Sequence, residues 1–391
     1  KSLDAHDGSG AHEPLQCAEC PMTSSTGALW LNASGQSEIN AGADAAWLEA
    51  ARALMNSTHL VVLAGSGCSY GLKGRGRTAP MMADLLALVK GLPGYTEVTR
   101  LHPDLATIND VEELLSAVQA AASLASTPGP EANLLRDSTA AIREACDFVD
   151  STTNLSSHEM LIRKLANRDS RQERLTLFTT NYDLALESAL GNSRFMAIDG
   201  FGYGSVARFS GTNFQQDIVL RGGRGELELA PNVVRLLKLH GSVDWDERPE
   251  GVYRKPSPAN PVLIYPSANK YRQSYRQPYL EAMARLQACL RQPETSLITI
   301  GFGFNDDNVT QPIVDALMGE PTLRLLVVAP DVLTSSGTVL TRFREAATAG
   351  DNRIGLLATT LSDFARLIPD SSGKDQWQAT QDALNRIWAP R

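Results

Sequence analysis

The 391-residue chain has little cysteine, five residues in all: Cys17, Cys20, Cys68, Cys146 and Cys289. So few and so scattered a set excludes a disulfide framework, which a core of this size does not need, and points to a reducing cytoplasm. Long apolar runs are missing too. No stretch approaches the roughly 18 uninterrupted apolar residues of a spanning helix, and the first residues hold no signal-peptide apolar region, so a soluble, unexported protein is expected. Positive charge is in deficit: 36 Lys and Arg stand against 44 Asp and Glu, a formal charge of -8. That balance argues against coating nucleic acid or an anionic membrane by bulk charge. Metal-ligand clusters are also lacking. Cys17 and Cys20 have zinc-knuckle spacing, but about four ligands are needed and no second Cys pair or His-x-His follows, so the spacing is read as coincidence.

Apolar residues at 43% and charged residues at 20% describe a globular chain that buries a core. Residues 1–42, rich in Gly, Ser, Ala and Asn without periodicity, read as a flexible N-terminal arm. A helical pattern over Asp44 to Asn56 then gives way to Leu60-Val61-Val62-Leu63-Ala64, an apolar run that stops at Gly65 as a buried parallel strand feeding a tight turn should. Similar runs recur at 175–178, 233–239, 262–265, 296–300, 323–329 and 354–358, making seven candidate strands. Helical patterns intervene at 183–190, 279–290, 308–317 and 339–349, so the expected fold is α/β, a doubly wound Rossmann-like parallel sheet. The long gap between the first two strands carries amphipathic patterns at 110–125, 131–149 and 157–166, which predicts an inserted helical subdomain at 81–167. The main domain is then 43–80 joined to 168–391.

Open α/β sheets bind ligands beyond the carboxyl ends of their strands, and four polar signatures sit at such ends. They are Gly65-Ser66-Gly67-Cys68-Ser69, Thr179-Thr180-Asn181-Tyr182-Asp183, His240-Gly241-Ser242 and Gly301-Phe302-Gly303-Phe304-Asn305-Asp306. Glycines directly after a strand let backbone N–H groups approach a pyrophosphate, though Gly-x-Gly alone is also an ordinary strand-to-loop turn. Gly71, Gly74 and Gly76, interleaved with Lys73, Arg75 and Arg77, read either as a basic loop closing over phosphates or as a solvated loop. Gly301 and Gly303 suit close approach of a nucleotide, with Asn305 or Asp306 near ribose hydroxyls or, equally, capping a helix. Asp363, after the last strand, is a further candidate for adenine contact. Histidine ordinarily titrates near neutrality, which makes His240 the candidate general base. His6, His12, His59, His102 and His158 lie without acidic or cysteine company in the sequence and are not read as ligands.

These motifs resemble those of the sirtuin-like NAD-binding proteins. The family's Gly-Ala-Gly-x-Ser is similar to Gly65 through Ser69, its Thr-Gln-Asn-x-Asp to Thr179 through Asp183, and its His-Gly pair to His240-Gly241, in the same order. The four-cysteine zinc module of protein-deacylating sirtuins has no counterpart, since only Cys289 follows His240, so no zinc is expected. The Gly-Ile-Pro-Asp-Phe-Arg segment is replaced by Arg77-Thr78-Ala79-Pro80-Met81-Met82-Ala83-Asp84. The chain is closer to the bacterial sirtuin-like effectors of anti-phage defence, whose resemblance implies hydrolysis of NAD to nicotinamide and ADP-ribose. On that resemblance Asn181 fixes the ribose or the attacking water, Asp183 recognises the carboxamide or steadies the cation, and Gly65, Ser66, Gly67, Ser69, Thr180 and Gly241 hold the cofactor. It also implies a homo-oligomeric effector subunit docked on a HerA-type hexameric ATPase. A deacylase or ADP-ribosyltransferase, or a non-catalytic NAD-sensing scaffold, are the alternatives. Finally, Arg254, Lys255, Lys270, Arg272 and Arg276 lie among Tyr265, Tyr271, Tyr275 and Tyr279 with no acid between, read as a solvated rim or a subunit contact, centred on 271–276, rather than a single-strand binder.

Overall fold

An apolar run without polar alternation suits a strand covered on both faces, and six of the seven expected runs do form such strands. The computed structural model describes residues 28–39, 44–124, 127–168, 172–223, 225–263 and 277–370. In chain order, the hairpin β1 (Ala28–Asn32) and β2 (Gly35–Ile39) precedes α1 (Ala45–Met55) and β3 (His59–Ala64). A two-residue hairpin, β4 (Lys73–Gly74) and β5 (Arg77–Thr78), leads to α2 (Met82–Lys90), α3 (Pro93–Leu101), α4 (Val111–Leu124), α5 (Pro130–Cys146) and α6 (Ser156–Ala166). Then come β6 (Thr176–Thr179), α7 (Ala185–Asn192), β7 (Met196–Ile198), β8 (Val219–Arg221), β9 (Leu227–Leu229) and β10 (Val233–Lys238). The chain continues through β11 (Gly241–Arg248), β12 (Gly251–Arg254), β13 (Pro261–Leu263), α8 (Tyr279–Leu290) and β14 (Thr295–Ile300). It closes with α9 (Asp307–Gly319), β15 (Arg324–Val328), α10 (Thr338–Thr348), β16 (Ile354–Ala358) and α11 (Leu361–Leu367).

Nine strands form the main sheet in the order β2-β1-β16-β15-β14-β3-β6-β10-β7. The seven from β16 to β7 are parallel, and β1 and β2 add an antiparallel edge. This is the expected doubly wound α/β architecture, with two corrections. The run at 262–265 is not a core strand: β13 pairs antiparallel with β11 in a separate three-stranded sheet, and a short apolar run reads the same in either setting. Its place is taken by β7, three residues long and too short to announce itself. Residues 28–39, read as part of the flexible arm, instead form the edge hairpin. Trp30 packs edge-on against Trp47 of α1, with centroids 5.7 Å apart.

The stretch between β3 and β6 is helical as expected, but it divides. Leu161, Ile162 and Leu165 of α6 bury against Leu60 and Val62 of β3 in the main core, so α6 is the crossover helix. Helices α2 to α5 build their own core from Leu85, Val89, Leu114, Leu115, Leu134 and Ile142. That core also takes in Tyr182, Val243 and Leu263, which seats the insert on the loops at the carboxyl end of the sheet. Among the described residues no helix is long and apolar enough to cross a membrane.

Candidate active site

The chain leaves β3 for β6 on one side and returns later through β14 on the other, so its connections diverge at β3. The crevice outside the carboxyl ends at such a switch point is where open α/β sheets bind ligands. All four polar signatures lie there, in the loops after β3, β6, β10 and β14.

The two glycine loops meet each other. The N–H of Gly65 donates to the carbonyl of Ile300 at 2.9 Å and that of Gly67 to Gly301 at 3.0 Å. A Cβ on Gly65 would lie 2.5 Å from the Gly301 carbonyl oxygen, and one on Gly301, whose φ is +59°, would lie 2.5 Å from the Cys68 nitrogen. Only glycine permits this approach of backbone to backbone. The N–H groups of Gly65 and Gly67, expected to face a pyrophosphate, are therefore engaged by the last residue of β14 and the first residue of the loop after it. Ser66 is half-buried beside them, while Gly303 and Asn305 are exposed.

Beyond β6, the Asn181 amide donates to Ser69 Oγ at 3.0 Å and Ser69 Oγ donates to Asp183 Oδ2 at 2.8 Å. The other Asp183 oxygen accepts the Ala185 N–H at 2.9 Å at the start of α7. Thr180 is anchored through its N–H to the Ala64 carbonyl at 3.1 Å, and Asn181 N–H donates to Thr179 Oγ1 at 3.0 Å. Ser69 and Asp183 are 4% and 8% exposed, whereas Asn181 is half-buried. The structure thus joins Ser69 to Asn181 and Asp183, more than a hundred positions further along the sequence, in one hydrogen-bonded chain.

Beyond β10, His240 is buried and its Nε2 lies 2.9 Å from Asp306 Oδ2. Asp306 Oδ1 meanwhile accepts the Asn308 N–H at 3.1 Å, capping α9. Asp306 is therefore both helix cap and histidine partner, and the second role was invisible locally because 66 positions separate the two. Tyr182, between Asn181 and Asp183, places its ring centroid 6.5 Å from that of His240, and its carbonyl accepts the Val243 N–H at 3.0 Å. Through Tyr182 the asparagine loop and the histidine loop share one rim. Gly241 has a φ of +95° and passes so close to the Val262 carbonyl that a Cβ would meet it at 2.0 Å; it turns the chain from β10 into β11.

Other candidates fall elsewhere or are already engaged. Asp363 belongs to the cap of α11: its N–H donates to Thr360 Oγ1 at 3.2 Å and its carboxylate pairs with Arg366 at 3.0 Å. Arg75 pairs with Asp147 at 3.1 Å and Arg77 pairs with Glu144, so the basic loop is docked on the end of α5. Two histidines have the company that the sequence concealed. His158 Nε2 lies 3.7 Å from Cys68 Sγ, and His102 Nε2 lies 2.8 Å from Glu131. Burial pushes the Cys68 thiol well up and holds His158 below the usual histidine range, so both are neutral, structural groups. Among the described residues no three His, Cys, Asp or Glu side chains gather as a metal ion requires. Cys17, Cys20 and the 271–276 segment lie outside the described residues.

Residues 175–345 match the family model of the SIR2-like domain, a span that holds Asn181, Asp183, His240 and Asp306. No curated protein sequence matches the chain. Among solved structures, a Sir2 variant with deacetylated p53 peptide and 3'-O-acetyl ADP-ribose aligns at 15% identity, over 82% of this chain and 96% of that one, with a TM-score of 0.37. A Sir2 homologue variant in complex with ADP-ribose aligns at 12% identity, over 86% and 97%, with a TM-score of 0.39. Over the stretch from just before β6 into α10, the chain is thus similar to the SIR2-like domain.

Proposed function

We propose that the chain is an NAD glycohydrolase that cleaves NAD to nicotinamide and ADP-ribose. The observation that carries this reading is the pairing of two polar sets on one rim at the switch point: Asn181-Ser69-Asp183, and His240 with Asp306. Cleaving the nicotinamide–ribose bond leaves positive charge on the ribose, and a water must reach the anomeric carbon in a site otherwise closed to solvent. Asn181 offers a carbonyl oxygen to that water or to a ribose hydroxyl while its amide is anchored on Ser69. Asp306 takes one imidazole nitrogen of His240 and orients the ring, leaving Nδ1 to accept a proton from the hydroxyl or water. The carboxylate of Asp183, bound to Ser69 and to the first turn of α7, sets the loop and adds negative charge behind the developing cation.

The test is to incubate the purified chain with NAD and no protein substrate, and to quantify nicotinamide and ADP-ribose. Free ADP-ribose is expected, and Asn181→Ala and His240→Ala should each lower turnover by about a hundredfold or more with unfolding unchanged for Asn181→Ala. His240→Ala strips Asp306 of a buried partner, so His240→Gln, which keeps a donor, is its control. Products only when an acylated or nucleophilic protein is added would point to a deacylase or transferase. Full turnover in both Asn181→Ala and His240→Ala would refute the site assignment. The same proposal makes the chain a homo-oligomeric effector of anti-phage defence held on a HerA-type ATPase. The support is the motif resemblance, and native mass measurement with and without such an ATPase examines it.

A further inference from the structure

Lys238 is 5% exposed and stands two residues before His240 at the end of β10. Its ammonium pairs with Glu187 Oε1 of α7 at 2.9 Å and also donates to the backbone carbonyl of Asp183. From the stability point of view this is a poor investment. Burying an ion pair costs several kcal/mol per ion before the mutual attraction is counted, and well-packed apolar replacements are often as stable or more so. The surroundings do not improve the balance: Glu187 Oε2 and Asp244 Oδ1 are buried and make no hydrogen bond among the described residues. Burial pushes the Glu187 carboxyl above its ordinary range despite the lysine. What the lysine does accomplish is geometric. It ties the end of β10, two residues before His240, to the peptide that carries the Asp183 side chain, and that side chain in turn holds Ser69 and, through it, Asn181.

We infer that Lys238, held by Glu187, is a positioning residue: a strut that fixes the 180–184 loop against β10 so that Asn181 and His240 keep a constant separation. It touches no reacting atom and acts through the Asp183 carbonyl. The loop's other long-range bonds run to β3 and its loop, through Ala64 and Ser69, and to the start of β11, through Val243, and a catalytic pair must be held within about 0.5 Å of its working geometry. A charge-assisted bond to a buried carbonyl provides that restraint, being roughly twice as strong as a neutral one. This inference builds on the proposed NAD hydrolysis for its kinetic consequence, but the strut itself is observable without any turnover.

Three full-length variants test it: Lys238→Met, Lys238→Met with Glu187→Leu, and Glu187→Gln, which still accepts a hydrogen bond from the ammonium. For the double variant the expected result is a melting temperature equal to or above that of the parent. In the same protein, the amides of Thr180, Asn181 and Ala185 should exchange with solvent about tenfold faster or more, while β3 and β14 amides are unchanged. NAD turnover should fall about tenfold with KM shifted less than about threefold, and Glu187→Gln should recover most of the protection and turnover. Unchanged exchange of the Thr180, Asn181 and Ala185 amides in the double variant would overturn the strut. So would loss of protection spread evenly over the sheet, since that marks mere destabilisation. If the parent chain consumes no NAD, the functional reading fails while the exchange result still decides the strut.

Discussion

Asp306 shows how one side chain can carry two duties that a substitution separates. Its Oδ1 caps α9 and its Oδ2 holds His240. Asparagine is as good an N-cap as aspartate, so Asp306→Asn should leave the helix and the melting temperature nearly intact. It removes the anion that orients and stabilises a protonated His240, so turnover should drop about a hundredfold or more. Steady-state kinetics beside thermal unfolding check this, and a variant that loses both together would place Asp306 in the fold rather than the reaction. Asn181, Asp183 and His240 were legible as residues because each ends an apolar run with an abrupt polar signature. Their partners were not: Ser69 with Asp183, and Asp306 with His240, are 114 and 66 positions apart, and no local pattern encodes such a distance.

The glycine loops are the elements where the structure most changes the reading. Gly-x-Gly after a strand is the same sequence signal whether the close neighbour is a phosphate or another backbone. Here the loops after β3 and β14 are that neighbour for one another. A methyl group on Gly65 would meet the Gly301 oxygen at 2.5 Å and the Phe302 Cα at 2.7 Å, and neither can swing away as a side chain end could. Gly65→Ala should therefore destabilise by about 1–3 kcal/mol or more, read as a lowered denaturant midpoint with unchanged slope. A variant with parental stability would mean that the loops part more easily than their packing implies. Six of the seven apolar runs became core strands as expected; the seventh overlaps β13 but lies in another sheet, because a short run does not say which sheet it joins, and β7, three residues long, carries too little pattern to be found.

For the molecule as a whole, His158 ties α6 to the β3 loop through Cys68 and makes stability depend on pH. Its Nδ1 is buried and makes no hydrogen bond among the described residues. Burial holds it below the ordinary histidine value, so the folded chain protonates it at a lower pH than the unfolded chain, which does so near pH 6.5. The unfolded state then binds more protons, and this contribution to stability, complete above about pH 6.5, is lost as pH falls below it. Urea midpoints at neutral and mildly acidic pH should show that decline in the parent and a smaller one in His158→Gln. Equal declines in the two proteins would remove His158 as the cause.

The amino-acid sequence by itself determined the class of fold and which residue types end the core strands, because burial on both faces demands uninterrupted apolar runs and each run must stop somewhere polar. Tertiary structure alone decided which of those ends touch, that 28–39 close the sheet as an edge hairpin, and that Lys238 binds the β6 loop to β10. The physical reason is range. Hydrophobic periodicity is written within a few residues, whereas a hydrogen bond between side chains a hundred positions apart exists only once the sheet order has set them a few ångströms from one another.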